Sequence, residues 1–424
     1  MVRIGRIITQ ISTEDRAANS SMALSYSAYR LYYAGLIGRV FALTLRFSVI
    51  GWFAASYLEL SPAWVAALPM ASSIPTILLS LPSGVIADRY DTQKILLWTA
   101  GLTAIISWVL WLAVITNQAG VTELLIWAVL AGVFAAIASP AQNAILPRLI
   151  DMRAMTSAVA LTSMVWNSMR VAGPAIGAAV ITVFGFGAGF ILMPIGFTVS
   201  AILLIVLKPK PEGERADSSL SASEQMMEGL RFIVRNRLFF NVIGLTFSFS
   251  LFGMSYVILL PSFANDVLGA STLQFGLLEA AAGAGAVLGT LAIMRLDAQS
   301  KGSWLMLITA VIFGISIGLF AFCRLIPLSM SILFVAGFSS SIFLNIGMVT
   351  MQLNVPDQMR GRVMGIWSLT WFLPPVGGFL TASIAEFVGL GPALTIAAST
   401  VSVFAILIWL TSPELRQQKV KEIS

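Results

Sequence analysis

The sequence is poor in the residues that metal sites and many catalytic sites use. Its 424 residues include no histidine and one cysteine, and only 10% are charged. A single cysteine excludes a disulfide within the chain, and the lack of histidine excludes His/Cys metal sites and histidine proton relays. Soluble domains carry about 25% charged residues, so this chain cannot form a water-soluble surface.

Apolar residues fill the chain instead. Hydrophobic residues make up 58% of it, and they form long runs bounded by proline, glycine or charge. Because about 20 helical residues cross a bilayer, the runs predict an all-α membrane protein with twelve transmembrane helices. The predicted spans are Leu31–Tyr57, Trp64–Ala87, Ile95–Thr116, Val121–Leu146, Met155–Phe184, Ala188–Leu207, Leu238–Phe263, Thr272–Met294, Ser303–Phe322, Leu325–Met351, Val363–Phe387 and Gly391–Leu410.

Basic residues collect on one side of these spans. Of 25 Lys and Arg, 21 fall in segments that are cytoplasmic if the N-terminus is inside, Arg324 falls outside, and three lie within spans. Because loops on the cytoplasmic side of a membrane are enriched in Lys and Arg, both termini are predicted to be cytoplasmic. The bases form no continuous stripe, so we expect no nucleic-acid partner.

The predicted organisation is two six-helix bundles, residues 31–207 and 238–411, with cytoplasmic tails at 1–30 and 412–424. The linker, 208–237, is predicted to contain a surface helix with an apolar face of Met227, Leu230, Ile233 and Val234.

The two halves echo each other weakly. Arg89-Tyr90-Asp91-Thr92-Gln93 recurs 206 residues later as Arg295-Leu296-Asp297-Ala298-Gln299. Two parallel repeats facing a central cavity are typical of alternating-access transporters. We find no phosphate-binding loop, nucleophile elbow or zinc-protease motif. We therefore predict a transporter that is not an enzyme and needs no cofactor.

Two motifs resemble the major facilitator superfamily. Gly84 followed by Asp88-Arg89 is similar to its cytoplasmic signature between spans two and three, and Arg170…Gly173-Pro174…Gly177 to its antiporter signature in span five. The resemblance runs from about Tyr29 to Leu415. Residues 139–147 and 355–365 are similar to a bacterial branch that contains macrolide-efflux proteins and the enterobactin (siderophore) exporter.

The chain departs from both signatures. Asp91 replaces a glycine of the first, Thr92 and Gln93 replace its basic pair, and Ala178 replaces the last glycine of the second. The fold that the resemblance implies is unaffected, whereas the implied cytoplasmic latch and antiporter activity are weakened.

The resemblance implies a gating role for Asp88 and Arg89, and we expect Asp91, in the same turn, to belong to the gate. A physical argument also supports a gate. Arg360 and Arg362 lie at the N-terminal end of predicted span eleven, and the Asp88 carboxylate could bind their guanidinium groups and the N-terminus of that helix. The alternative is a helix cap and charges that only set topology.

Gly173 and Pro174 are a second predicted gating element. Proline breaks the hydrogen-bond ladder of span five, where the helix can bend. Packing alone is the alternative.

Three arginines lie inside predicted spans. Arg39 and Arg46 are two helical turns apart and share a face. Arg46 and Arg170 lie near mid-depth, where a charge costs roughly 2.5–3.5 kcal/mol, so both should face a cavity. Three cations with no acid deep in the spans of the same half predict an anionic substrate. Alternatives are snorkelling of Arg39 and hydrogen bonding of Arg170 to span-one carbonyls.

Glu279 is the carboxylate deepest within an apolar span, in span eight. Such an acid can bind and release protons during transport. The alternatives are an ion pair with a cavity arginine or contact with outer water. Trp52, Trp166 and Trp371 are candidates to contact a bulky amphipathic substrate, although tryptophans in spans more often pack or face lipid.

Together these features predict a secondary exporter in the bacterial inner membrane, monomeric in the bilayer. It would exchange protons for an amphipathic, acid-bearing molecule such as a drug or siderophore-like metabolite. An importer and a lipid or lysophospholipid flippase on the same fold are alternatives, and a membrane scaffold without transport activity is a fourth reading.

Overall fold

The computed structural model describes residues 22–210, 222–295 and 302–411. These ranges are helical almost throughout, which confirms the all-α prediction. Most of both predicted tails, the linker centre and residues 296–299 of the echo motif lie outside the described residues. The helices are α1 (Ser27–Ser56), α2 (Pro62–Arg89), α3 (Thr92–Ile115), α4 (Val121–Leu149), α5 (Met155–Val206), α6 (Ala222–Arg235), α7 (Arg237–Ser248), α8 (Ser255–Ser262), α9 (Thr272–Arg295), α10 (Gly302–Phe322), α11 (Ile326–Asn354), α12 (Asp357–Ser368), α13 (Leu373–Val388) and α14 (Leu390–Thr411).

Within the described ranges, eleven helical stretches are long and apolar enough to cross a membrane. One of them, Met152–Val206, has 55 residues and contains α5. A straight helix of that length would measure about 80 Å, far more than a bilayer core. The stretch is kinked at Gly185, whose φ of 79° and ψ of 176° are not helical. Glycine adopts this backbone conformation without steric cost, and the kink divides α5 into residues 155–184 and 186–206.

Two later spans are irregular. A π-helical turn, Phe249–Gly253, joins α7 to α8, and a second one, Phe263–Val267, follows α8. Between α12 and α13 lies the 3₁₀ segment Leu369–Phe372, directly before Pro374 and Pro375. Prolines lack the N–H that would continue the ladder, which explains the break. The start of α1 at Ser27 is four residues earlier than the predicted start of span one.

The buried apolar side chains form separate clusters on the two sides of the linker. The largest cluster draws on residues 233–408 and takes in Trp52 and Ala66 from the N-terminal side. Three smaller clusters lie within residues 23–207. We use "N-terminal half" for residues 22–207 and "C-terminal half" for 237–411. The halves meet along α5 with α9, α2 with α13, and α1 with α8.

The spans alternate in direction, so the bundle has two ends. We name the end that carries the α1–α2 connection, residues 57–61, the Trp52 end. The opposite end, which carries the α2–α3 connection at residues 90–91, is the Arg89 end. Helix α6 lies at the Arg89 end and packs on α12.

Candidate functional site

Arg39 and Arg46 lie on α1 and are both partly buried. The guanidinium carbon of Arg46 lies 4.5 Å from the ring centroid of the exposed Phe47, a cation–π contact. Arg39 interacts electrostatically with the hydroxyl of Tyr32. Tyr32, Arg39 and Arg46 are each separated by two helical turns, so one face of α1 presents a polar row through the N-terminal half.

Arg170 lies on α5 with an exposed side chain. It interacts electrostatically with the buried Tyr256 of α8, and Tyr256 interacts in the same way with Glu279. Arg170 and Glu279 therefore both lie within electrostatic range of Tyr256. Among the hydrogen bonds of the described ranges, none joins Arg170 to a carbonyl of α1.

Glu279 lies on α9 and accepts a hydrogen bond from the hydroxyl of Ser48 on α1. This contact crosses the boundary between the two halves. Within the described ranges Glu279 forms no ion pair with an arginine, which was one alternative for it. Its carboxylate is thus held at the boundary by a neutral partner.

Trp52 lies one turn beyond Ser48 and has only 3% of its surface exposed. Its indole ring stacks on Phe275 of α9, with centroids 4.6 Å apart and planes 9° apart. Its Nε1 donates to Thr272 Oγ1 over 3.0 Å. In this structure Trp52 joins the halves and leaves little surface for a substrate.

Further contacts close the Trp52 end. The side-chain amide of Asn265 donates to the carbonyl oxygen of Ala55 over 3.3 Å. Ser61 Oγ lies at 3.5 Å from a carboxylate oxygen of Glu386. Both pairs link the N-terminal half to the C-terminal half.

The other two candidate tryptophans are accessible. Trp166 is 44% exposed and lies one turn before Arg170 on the same face of α5. Trp371 is 58% exposed and lies in the 3₁₀ segment between α12 and α13. Each retains aromatic surface that a substrate could contact.

Gly173 and Pro174 lie where α1, α5 and α9 meet. A Cβ on Gly173 would collide with the side chain of Thr44, so glycine permits the close approach of α1 and α5. A Cβ on Gly276 of α9 would lie 3.5 Å from the carbonyl oxygen of the buried Pro174. The pair has a packing role here, and its predicted bending role remains a prediction.

The predicted gating residues of the first motif take different places. Asp88 belongs to the last turn of α2, but its side chain lies outside what the structure describes, and Arg89 is exposed. Asp91 caps α3 by accepting from the Lys94 N–H over 3.0 Å, and it pairs with Arg148 Nη1 of α4 at 3.2 Å. This pair ties α3 to α4 within one half.

The electrostatics of Asp91 reflect this setting. Partial burial acts to raise the pKa of its carboxyl group, whereas the Lys94 N–H and the Arg148 guanidinium lower it. The lowering prevails, and the pKa of Asp91 lies below its ordinary value.

The predicted gating arginines lie on α12. Arg362 Nη1 pairs with Glu228 Oε1 of α6 at 2.8 Å, so its described partner belongs to the surface helix. Arg360 is exposed in the first turn of α12. No sequence signal marked Glu228, Ser48 or Tyr256, because a lone polar residue has no pattern and their partners are remote in sequence.

Comparison with known proteins places the chain in a family. Residues 21–423 match the family model described as a transmembrane secretion effector. The staphyloferrin A transporter of Staphylococcus aureus is 24% identical over 373 residues, which cover 86% of this chain and 89% of that protein. The enterobactin exporter EntS of Shigella dysenteriae is 26% identical over 330 residues, covering 77% and 76%.

Solved structures agree on the fold. The nucleoside transporter NupG superimposes with a TM-score of 0.72 at 14% identity, covering 93% of this chain and 100% of that one. A bacterial homologue of the human lysosomal transporter Spinster gives 0.67 at 16%, covering 94% and 96%. The chain therefore belongs to the transmembrane secretion effector family of the major facilitator superfamily, as a multi-pass protein of the bacterial inner membrane and not an enzyme.

Proposed function

We propose that this protein exports an acid-bearing, amphipathic siderophore-like molecule in exchange for protons. One observation carries the proposal: the apolar spans of the N-terminal half hold Arg39, Arg46 and Arg170, while Glu279 reaches the boundary from the other half. Charges at this depth are costly, and in transporters they mark substrate and ion pathways.

The proposed topology has twelve spans with both termini in the cytoplasm. The two legs of α5 on either side of Gly185 each have the length of one span, so the eleven stretches become twelve crossings. The excess of Lys and Arg then assigns the Arg89 end to the cytoplasm. The contacts of Trp52 close the opposite, external side, which is the state that loads substrate from within the cell.

The substrate class follows from the arginines and the accessible aromatic rings. Guanidinium groups bind carboxylates through charged hydrogen bonds, Trp166 offers an apolar face one turn from Arg170, and Trp371 adds a second exposed ring. The similar proteins from Staphylococcus and Shigella are named for staphyloferrin A and enterobactin, which supports a siderophore-like cargo.

Glu279 is proposed as the proton carrier. Its bond from Ser48 crosses the boundary between the halves one turn from Trp52, which supports a link between this carboxyl group and the Trp52 end. Opening that end separates the two residues and exposes the carboxyl group to the outside, where it can take up a proton. Closing it again returns the proton to the cytoplasmic side, which completes the exchange.

The test is uptake into inverted membrane vesicles with an acidic lumen. Compounds would include a metal-free carboxylate siderophore, a neutral macrolide and a lysophospholipid. We expect uptake of the acid alone, driven by the gradient, lost in Arg46→Gln and independent of the gradient in Glu279→Gln. Arg324→Gln, an exposed arginine at the Trp52 end, is the matched control and should transport normally.

Three results would refute the proposal. Equal uptake of the neutral macrolide would contradict the preference for an acid-bearing substrate. Uptake of the lysophospholipid alone would indicate a flippase. Normal transport by Arg46→Gln would remove the arginine site.

A further inference from the structure

Helix α6 presents three distinct faces. Gly229 and Ile233 are buried on the side that packs against α12, so Ile233 is separated from the other three residues of the predicted apolar face, which are exposed. A second face, about 100° wide, consists of exposed apolar side chains, and the third face is charged. The exposed apolar residues are Met226, Met227, Leu230 and Val234, and the charged ones are Glu224, Glu228, Arg231 and Arg235.

The chain holds α6 at the surface of the bilayer. Only Asn236 separates it from the membrane-spanning α7, and the Asn236 side chain accepts from the Leu238 N–H over 3.1 Å to cap that helix. The rings of Phe232 and Phe239 lie 5.2 Å apart and fix the angle between α6 and α7. With one face on α12, the apolar face cannot turn inward.

We propose that α6 docks its apolar face into the cytoplasmic leaflet and that anionic phospholipids are its partner. A helix with a wide apolar face beside arginines is suited to the headgroup region. Residues 224–237 carry three arginines, Arg231, Arg235 and Arg237, against two glutamates, of which Glu228 is neutralised by Arg362. Each arginine near an anionic leaflet strengthens attachment about five-fold. The inference rests on the proposed topology but not on the substrate.

Docking would reach the transport machinery through α12. Glu228 pairs with Arg362 at 2.8 Å, and a Cβ on Gly229 would lie 3.1 Å from the Arg362 Cβ. If α6 shifts when it docks, the first turns of α12 must therefore move with it, or the Glu228–Arg362 pair must break. Lipid charge thereby acts on the end of the helix that carries the predicted gating arginines.

The experiment places an environment-sensitive fluorophore on Met227→Cys in a Cys323→Ser background. The full chain is reconstituted in vesicles of phosphatidylcholine with and without phosphatidylglycerol. We expect blue-shifted emission only with phosphatidylglycerol. Arg231→Gln/Arg235→Gln should weaken docking about 25-fold, the product of two five-fold losses. Leu230→Glu, at an exposed position, should abolish it, and Arg324→Gln at the opposite end should leave it unchanged.

Water-like emission in both vesicles would refute docking. An equal blue shift in both, or a shift that the double arginine variant retains, would refute an anionic partner. The assay contains neither substrate nor a pH gradient, so its outcome is independent of whether the proposed export fails.

Discussion

The two ends of the bundle use different chemistry. At the Trp52 end, the described contacts between halves include a stacked Trp52–Phe275 pair and hydrogen bonds from neutral donors. At the Arg89 end, the described ion pairs are Asp91–Arg148 within the N-terminal half, Asp151–Lys210 between that half and the start of the linker, and Arg362–Glu228 with α6. Aromatic stacking keeps its strength away from water, whereas exposed ion pairs contribute little. The Trp52 end should therefore dominate the stability of the closed state.

The largest effect is expected from Trp52→Ala. Removing a buried tryptophan costs about 3–5 kcal/mol and would fall on the closed state alone. In a Thr44→Cys variant, the new cysteine lies one helical turn before Ser48. With Trp52→Ala added, it should react with an impermeant thiol reagent from outside at least about 100-fold faster than with Trp52 present. Trp371→Ala, at an exposed tryptophan, is the control. Unchanged labelling in Trp52→Ala would mean that this end is not held by the indole.

Ser48→Ala should have a smaller effect of the same sign. It removes one hydrogen bond across the boundary, which is worth about 0.5–1.5 kcal/mol, or roughly 3–10-fold in labelling rate. The Glu279 carboxylate would lose its partner across the boundary, and the Trp52 end should therefore open more readily. Ser56→Ala is a suitable control, since the Ser56 hydroxyl donates to the carbonyl of Trp52 within α1 and has no other hydrogen bond within the described ranges. Equal labelling in both variants would contradict the role of the Ser48–Glu279 bond.

Breaking the Arg362–Glu228 pair should matter less. The pair is partly exposed, so its loss should cost below about 1 kcal/mol. A double-mutant cycle with Arg362→Gln and Glu228→Gln, read from the thermal midpoint, should give a coupling of that size. A coupling as large as the Trp52→Ala effect would overturn the contrast between the ends.

The smallest effect concerns pH at the Arg89 end. Because the pKa of Asp91 is lowered in the folded protein, its stabilising contribution is complete above the unfolded pKa of about 4 and is lost as pH falls through the folded value. Between pH 7 and 3, the thermal midpoint should fall slightly less in Asp91→Asn than in the parent protein. A steeper fall in the variant would contradict this sign.

The sequence predicted the spans well because hydrophobic runs are local. It also identified charged residues within the apolar helices, since Arg46, Arg170 and Glu279 interrupt long hydrophobic runs. It did not predict their partners. Ser48 and Glu279 are 231 residues apart, and a serine in an apolar helix carries no signal. Trp52 shows the same limit, because a tryptophan suits a cavity wall and a packed boundary equally well.

The central claim is that arginines between the halves bind an acidic cargo. Its most direct test is the affinity of the purified protein for a carboxylate siderophore and for the uncharged amide of the same compound. We expect the acid to bind at least about 30-fold more tightly, since an unpaired charge costs 2 kcal/mol or more, and Arg46→Gln to remove most of the difference. Equal affinities for acid and amide would contradict the claim.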